Sequence, residues 1–156
     1  MRQYLSSCAL LILALGCGPR KVGVPQQPQP ISGDETQAAN DRVVAEILEG
    51  IVGREQDSAG IVFKNVHFLA GVPAQTFLTI MNEGYAKALG VRCSHCHVVG
   101  NFASDSKRPK RAAREMQQMH RMINQQLQQM QYLATPITQN RAINCITCHR
   151  GQIDPR

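Results

Sequence analysis

Two five-residue strings constrain this chain more than any other feature: Cys93-Ser94-His95-Cys96-His97 and Cys145-Ile146-Thr147-Cys148-His149. Each reads C-x-x-C-H, the pattern for covalent attachment of a c-type haem. On a helical turn, residues three and four apart share a face, so Cys93, Cys96 and His97 can point at one porphyrin, and Cys145, Cys148 and His149 at another. Two thioether bonds then hold each ring edge, and His97 or His149 becomes the proximal iron ligand. The expected cofactors are two haem c groups.

Other chemistries share parts of this pattern. Two C-x-x-C pairs also spell a four-cysteine zinc site, but ribbon pairs usually lie about fifteen to twenty residues apart. Here the gap is about fifty, and each pair carries a histidine that a zinc ribbon does not require. A thioredoxin-like motif needs one C-x-x-C in a strand-helix-strand context, and the sequence has no such pattern. Two structural disulfides fit an exported chain equally well on cysteine count, but leave the two histidines without a role.

The chain has 156 residues, one domain's worth. Arg2 and the short apolar run Cys8 to Leu15 read as a signal peptide over residues 1–16, too short to span a bilayer. The run ends in Ala14-Leu15-Gly16-Cys17, which resembles a bacterial lipoprotein signal with Cys17 as the lipidated residue. Ordinary cleavage near Gly16 or Gly18 is the alternative. Either route exports the chain, which suits c-type haem. The expected location is extracytoplasmic, on the periplasmic side, with a lipid anchor at the membrane. The formal charge of +6 counts Arg2 and precedes the four propionates of two haems, so nucleic acid is not an expected partner.

Residues 17–40 are rich in Pro, Gly and Gln and read as a tether, leaving 41–156 as the dihaem domain. Asn40-Asp41 forms a plausible N-cap for a helix from Arg42 to Val52, closed by Gly53. Residues 61–69 partly alternate and suggest an extended segment. Pro73 opens a second helix that runs to Leu89 and stops at Gly90, with Leu78, Met81, Tyr85 and Leu89 on one face. A polar loop, 100–110, leads to a long helix from Arg111 to Tyr132, and Pro136 ends that pattern before the second motif. The fold expected is mainly α with little strand: a small multihaem cytochrome in which a helix followed by C-x-x-C-H occurs twice.

Each iron also needs a sixth ligand, and a methionine thioether opposite histidine raises the reduction potential. Met81 lies one helix before the first motif. Met116, Met119, Met122, Met130 and His120 lie on the long helix between the motifs, and spacing prefers Met116 or Met119. Taken singly, a methionine on an apolar face is more often core than ligand. His95 should face away from its haem, and His67 could pack by a propionate or lie on the surface. The basic run Lys107, Arg108, Lys110, Arg111 and Arg114 could neutralise propionates, dock an acidic partner, or mark a solvated helix start.

Several segments then occur in a recognisable order: Lys64-Asn65-Val66, Met81-Asn82, Leu89-Gly90-Val91-Arg92-Cys93, Phe102-Ala103-Ser104-Asp105, Ala113-Arg114-Glu115-Met116-Gln117-Gln118-Met119, Ile123-Asn124 and Cys145 to Gly151. Over residues 61–152 the chain resembles the cytochrome c subunit of photosynthetic reaction centres. That subunit carries four haems in two similar halves, and this chain resembles one half. The resemblance implies that Met81 ligates the first haem iron and Met116 the second. It also implies single-electron transfer between redox protein partners, with a membrane electron-transfer complex among them, and no enzyme activity. The family's bis-histidine haem has no counterpart here, since residues 125–144 contain no histidine. A dihaem peroxidase and a haem-based gas sensor are the competing functions, and both need one iron with an open or labile distal position.

Overall fold

The computed structural model describes residues 33–133 and 142–155. Among them the chain is mainly helical, as expected, and its only β pairing is two isolated bridges, Ser58 with Pro73 and Val98 with Asn101. The segment 1–16, Cys17, the Pro-rich stretch and Pro136 lie outside the described residues.

Helix α1 spans Gly33–Glu49 and begins earlier than its expected cap. Asp34 and Glu35 sit in its first turn, where acidic side chains complement the helix dipole. Residues 33–40, which composition placed in the tether, are therefore helical, and Asn40 is an interior position only 1% exposed. The expected extended segment is also corrected. Ala59–Val62 forms a short helix, α2, and left-handed backbone at Asn65 (φ 61°) and Leu69 (φ 61°) breaks any strand after it. The loop closes on itself instead. Ala59 N–H donates to Val72 O at 2.8 Å and Gly60 N–H to Ala70 O at 2.9 Å, so its polar backbone needs no neighbouring strand.

The second expected helix is present as three consecutive parts: α3 (Ala74–Thr79), a π-helical segment (Ile80–Ala86) and α4 (Lys87–Leu89). Pro73 precedes it as the N-cap residue. Its end is a Schellman motif, with Gly90 N–H donating to Lys87 O and Val91 N–H to Ala86 O. The first haem motif follows as α5 (Cys93–Cys96). The long helix α6 runs Arg108–Gln129, starting three residues before Arg111 with Pro109 in its first turn, and a 3-10 turn follows at Gln131–Leu133. The second motif is α7 (Cys145–His149). Helices α1 and α7 pack on the π segment, α7 also on α4, α2 on α3, and α5 on α6.

Among the described residues the buried apolar ones are Ala59, Ala74, Leu78, Ala86 and Ala88. A core of four alanines and one leucine buries little of the larger side chains. Val43, Val44, Ile47, Phe63, Phe77 and Leu89 line a cavity instead.

Gly90 couples the two halves. It is left-handed (φ 64°), and a Cβ there would meet Gly151 O at 2.2 Å. Gly151 N–H in turn donates to Ala88 O at 2.9 Å, so the loop after the second motif rests on the end of α4. Gly53 offers a control: it too is left-handed (φ 82°), but nothing lies within 4 Å of its missing Cβ. Gly53→Ala should cost about 1 kcal/mol from backbone strain alone. Gly90→Ala adds a backbone collision and should cost roughly 2–5 kcal/mol. Thermal or urea unfolding of the two variants against wild type measures the difference.

Candidate haem sites

The cavity, of about 260 Å³, gathers the first motif with its expected distal partner: Cys93, Cys96, His97 and Met81 all line it. The whole expected face of the second helix, Leu78, Met81, Tyr85 and Leu89, opens into the same space. Asn65, His67, Lys110 and Arg114 also line it and supply polar groups.

The His97 ring is oriented by backbone. His97 Nδ1 lies 3.1 Å from Phe102 O, and since a carbonyl only accepts, the proton belongs on Nδ1. That leaves the Nε2 lone pair free, the arrangement typical of metal-ligating histidine. Burial, reinforced by the charges of Lys110, Lys107 and Arg114, holds the His97 pKa below 6.5, which favours the neutral ring. Burial also pushes the Cys93 and Cys96 thiols above their ordinary range.

The basic run after the motif is scaffolding more than solvated surface. Lys110 is 9% exposed, and its ammonium donates to Phe102 O, Ala103 O and Ser104 O at 2.8–3.0 Å. It thereby cradles the carbonyl that orients His97. Lys107 donates to Ser94 O inside the motif, and Arg111 to Asp105 O. Asp105 receives Arg114 at 2.9 Å, Lys110 at 3.1 Å and the Asn65 amide at 2.8 Å. His67, exposed, bonds the Asn65 side chain at 2.8 Å on the cavity rim. His95 is half-buried and is not among the cavity-lining residues.

The methionine side is held by polar contacts too. Asn82, next to Met81 in the π segment, is buried and donates to Asp41 Oδ1 at 2.7 Å while accepting from Gln37 Nε2 at 3.1 Å. A π turn costs hydrogen-bond geometry and is found mostly at functional positions. This one carries Met81, Asn82 and Tyr85. Tyr85 donates to Gln117 of α6, and burial pushes its pKa up to about 12.

The second motif orients its histidine in the same way. His149 Nδ1 lies 3.1 Å from Gln152 O, again leaving Nε2 free. Asn144 and Thr147 form a reciprocal capping box, so one of the motif's intervening residues sets the helix start. This site is more open: Cys148 is exposed, Cys145 and His149 are half-buried, and Ile146 is 44% exposed. Met116 stands on α6 at 40% exposure, with Met119 and Met130 similarly exposed. His120 donates from Nε2 to Ile143 O at 2.8 Å, so its usual ligating nitrogen is already engaged. No disulfide joins Cys93, Cys96, Cys145 or Cys148, and among the described residues no three His, Cys, Asp or Glu side chains converge as a metal site. The two C-x-x-C pairs are thus not assembled into one zinc centre.

The family model of the photosynthetic reaction centre cytochrome C subunit matches residues 13–156. This chain belongs to that family. Cytochrome c-554 of Chloroflexus aurantiacus (strain ATCC 29366 / DSM 635 / J-10-fl) is 36% identical over 87 residues, which is 56% of this chain and 20% of that protein. The matched part thus spans about a fifth of that relative's length.

In this family member the structure brings Met81, Cys93, Cys96 and His97 to one cavity, and sets Cys145, Cys148 and His149 on one short helix. Met116 is on α6, the helix that holds the segment before Cys145 through His120 and Asn124. Sequence reasoning missed the roles of Asn40, Asn124 and Lys110. A partial signal for the first two exists: each amide lies one turn before an apolar residue of its helix, Asn40 before Val44 and Asn124 before Leu127. Lys110 gave no such signal, because its partners are backbone carbonyls.

Two outcomes follow from the loop. Lys110→Met strands three carbonyls and should destabilise by about 1–3 kcal/mol, read from urea unfolding. The Arg114, Lys110 and Asn65 contacts hold the Asp105 carboxyl well below its ordinary 3.8. A depressed folded-state pKa stabilises above the unfolded value and loses that contribution as pH falls. The unfolding midpoints of wild type and Asp105→Asn should therefore differ at pH 7 and begin to draw together only as pH falls below about 3.8, toward the depressed folded-state value.

Proposed function

We propose that this chain is a dihaem c-type cytochrome that passes single electrons between extracytoplasmic redox proteins. The observation that carries the reading is the cavity shared by Cys93, Cys96, His97 and Met81, with His97 Nδ1 donating to Phe102 O. A covalently held haem supplies a one-electron iron couple. The residues of this chain do the rest. Cys93 and Cys96 would hold the first ring and Cys145 and Cys148 the second; His97 would offer Nε2 to the first iron and His149 to the second. Met81 and Met116 would supply the second ligand to the first and the second iron. Apolar walls exclude water around the first site, while the second stays nearer the surface and its partners. Residues 1–16 export the chain, and lipid on Cys17 with the stretch before α1 keeps it at the periplasmic face of the membrane.

The cavity walls support a bulky apolar guest, because Val43, Ile47, Phe63 and Phe77 meet space where an ordinary core would meet side chains. One observation favours a second reading. Met116 is 40% exposed, so the second iron could exchange its distal ligand and act as a peroxidase or a gas-binding centre.

The test is spectroscopic. The exported protein should carry the added mass of two haems, remain red after denaturation, and be low-spin with a methionine-to-iron band in the near infrared. Met81→Ala should roughly halve that band and lower the potential of one haem only. Carbon monoxide binding to the reduced wild type, or peroxide turnover retained in Met116→Ala, would shift the function to the second reading. A colourless protein would end both.

A further inference from the structure

Both attachment motifs are held by the same device, and neither asparagine that provides it belongs to a motif. In α1, Asn40 accepts from Cys93 N–H at 2.9 Å and donates to Val91 O at 3.0 Å. In α6, Asn124 accepts from Ile143 N–H at 2.8 Å and donates to Ile143 O at 3.1 Å. Each carboxamide pairs with backbone immediately ahead of the first cysteine, satisfying a donor and an acceptor at once as a neighbouring strand would. These stretches need it. Val91-Arg92 and Ala142 to Asn144 are not helical, and among the described residues no strand lies beside either.

From this we infer that Asn40 and Asn124 are positioning residues, each presenting the cysteines and histidine of one motif to its own haem. The inference rests on the dihaem reading. Attachment adds each cysteine S–H across a vinyl C=C of the ring, sulfur to one carbon and hydrogen to the other, so no oxidant or reductant is needed. What it does need is a first cysteine held in register with the second cysteine and the histidine. A backbone free to rotate before Cys93 or Cys145 would lose that register.

Asn40 has a second consequence that Asn124 lacks. Its neighbour Asp41 and, one turn earlier, Gln37 bind Asn82 beside Met81. One stretch of α1 thus spans both axial sides of the first site, the cysteine backbone through Asn40 and the methionine turn through Asp41. Near the second motif, His120 shares the Ile143 carbonyl with Asn124, so the clamp there has a partial reserve.

The experiment compares Asn40→Ala with Asn124→Ala in the full exported protein. Haem-peptide mapping reads thioether occupancy at Cys93/Cys96 and at Cys145/Cys148 separately, and redox titration reads each haem's potential. Asn40→Ala should lower occupancy at Cys93/Cys96 on the order of five-fold, or shift that haem's potential, and leave Cys145/Cys148 as in wild type. Asn124→Ala should do the reverse, with a smaller effect. Should Asn40→Ala fail to accumulate, Asn40→Asp keeps the acceptor for Cys93 N–H and loses the donor to Val91 O, and is read the same way. Equal loss at both sites in either variant means a general folding role and overturns the inference, as does wild-type occupancy and potential in both. Wild type without two haems would instead overturn the dihaem reading.

Discussion

The contact on which the rest of the structure depends is the meeting of Gly90 and Gly151. Gly90 ends the helix that lines the first cavity, and Gly151 follows the second motif. A methyl group between them would sit 2.2 Å from a carbonyl oxygen. Because Gly151 N–H also bonds Ala88 O, the two C-x-x-C-H units share one short piece of backbone, Ala88 to Gly90. The geometry of one C-x-x-C-H unit is thereby set relative to the other by main chain, which bends far less than side chains do.

Around that contact the protein is held by polar groups more than by apolar packing. Among the described residues four alanines and a leucine make the buried apolar core, while Val43, Val44, Ile47, Phe63, Phe77 and Leu89 face the cavity. Order comes from side chains bonded to backbone: Asn40 and Asn124 before the motifs, Lys110 under the carbonyl that orients His97, and Asn144 with Thr147 at the start of α7. Such bonds are directional and stay in place before a guest arrives, whereas an apolar wall without contents would tend to collapse. A domain of this kind keeps its site open by spending its hydrogen bonds on loops.

The two sites differ in the same terms. The first is walled by α1, the 63–68 loop, the π segment and the start of α6, and its histidine is buried enough to favour the neutral ring. The second lies on a five-residue helix with an exposed cysteine. Burial and solvent access both tune the potential of a haem. Two identical attachment motifs on one chain therefore need not give two equivalent redox centres.

Much of this was legible beforehand. The helix from Pro73 to Gly90, its inward face of Leu78, Met81, Tyr85 and Leu89, and the mainly helical class all come from spacings of three and four residues, which encode which side chains share a face. Boundaries were less legible: α1 starts at Gly33, and residues 61–69 form a short helix and a self-paired loop, because local propensity is weak where loop hydrogen bonds decide. What only the tertiary structure decided is which distant groups meet. Asn40 lies 53 residues from Cys93, and Lys110 looks like any helix-start cation until its three carbonyls are seen. A periodic pattern records the face a residue occupies, whereas a side chain bonded to remote backbone depends on how the chain has folded, and one-dimensional spacing carries no trace of that distance.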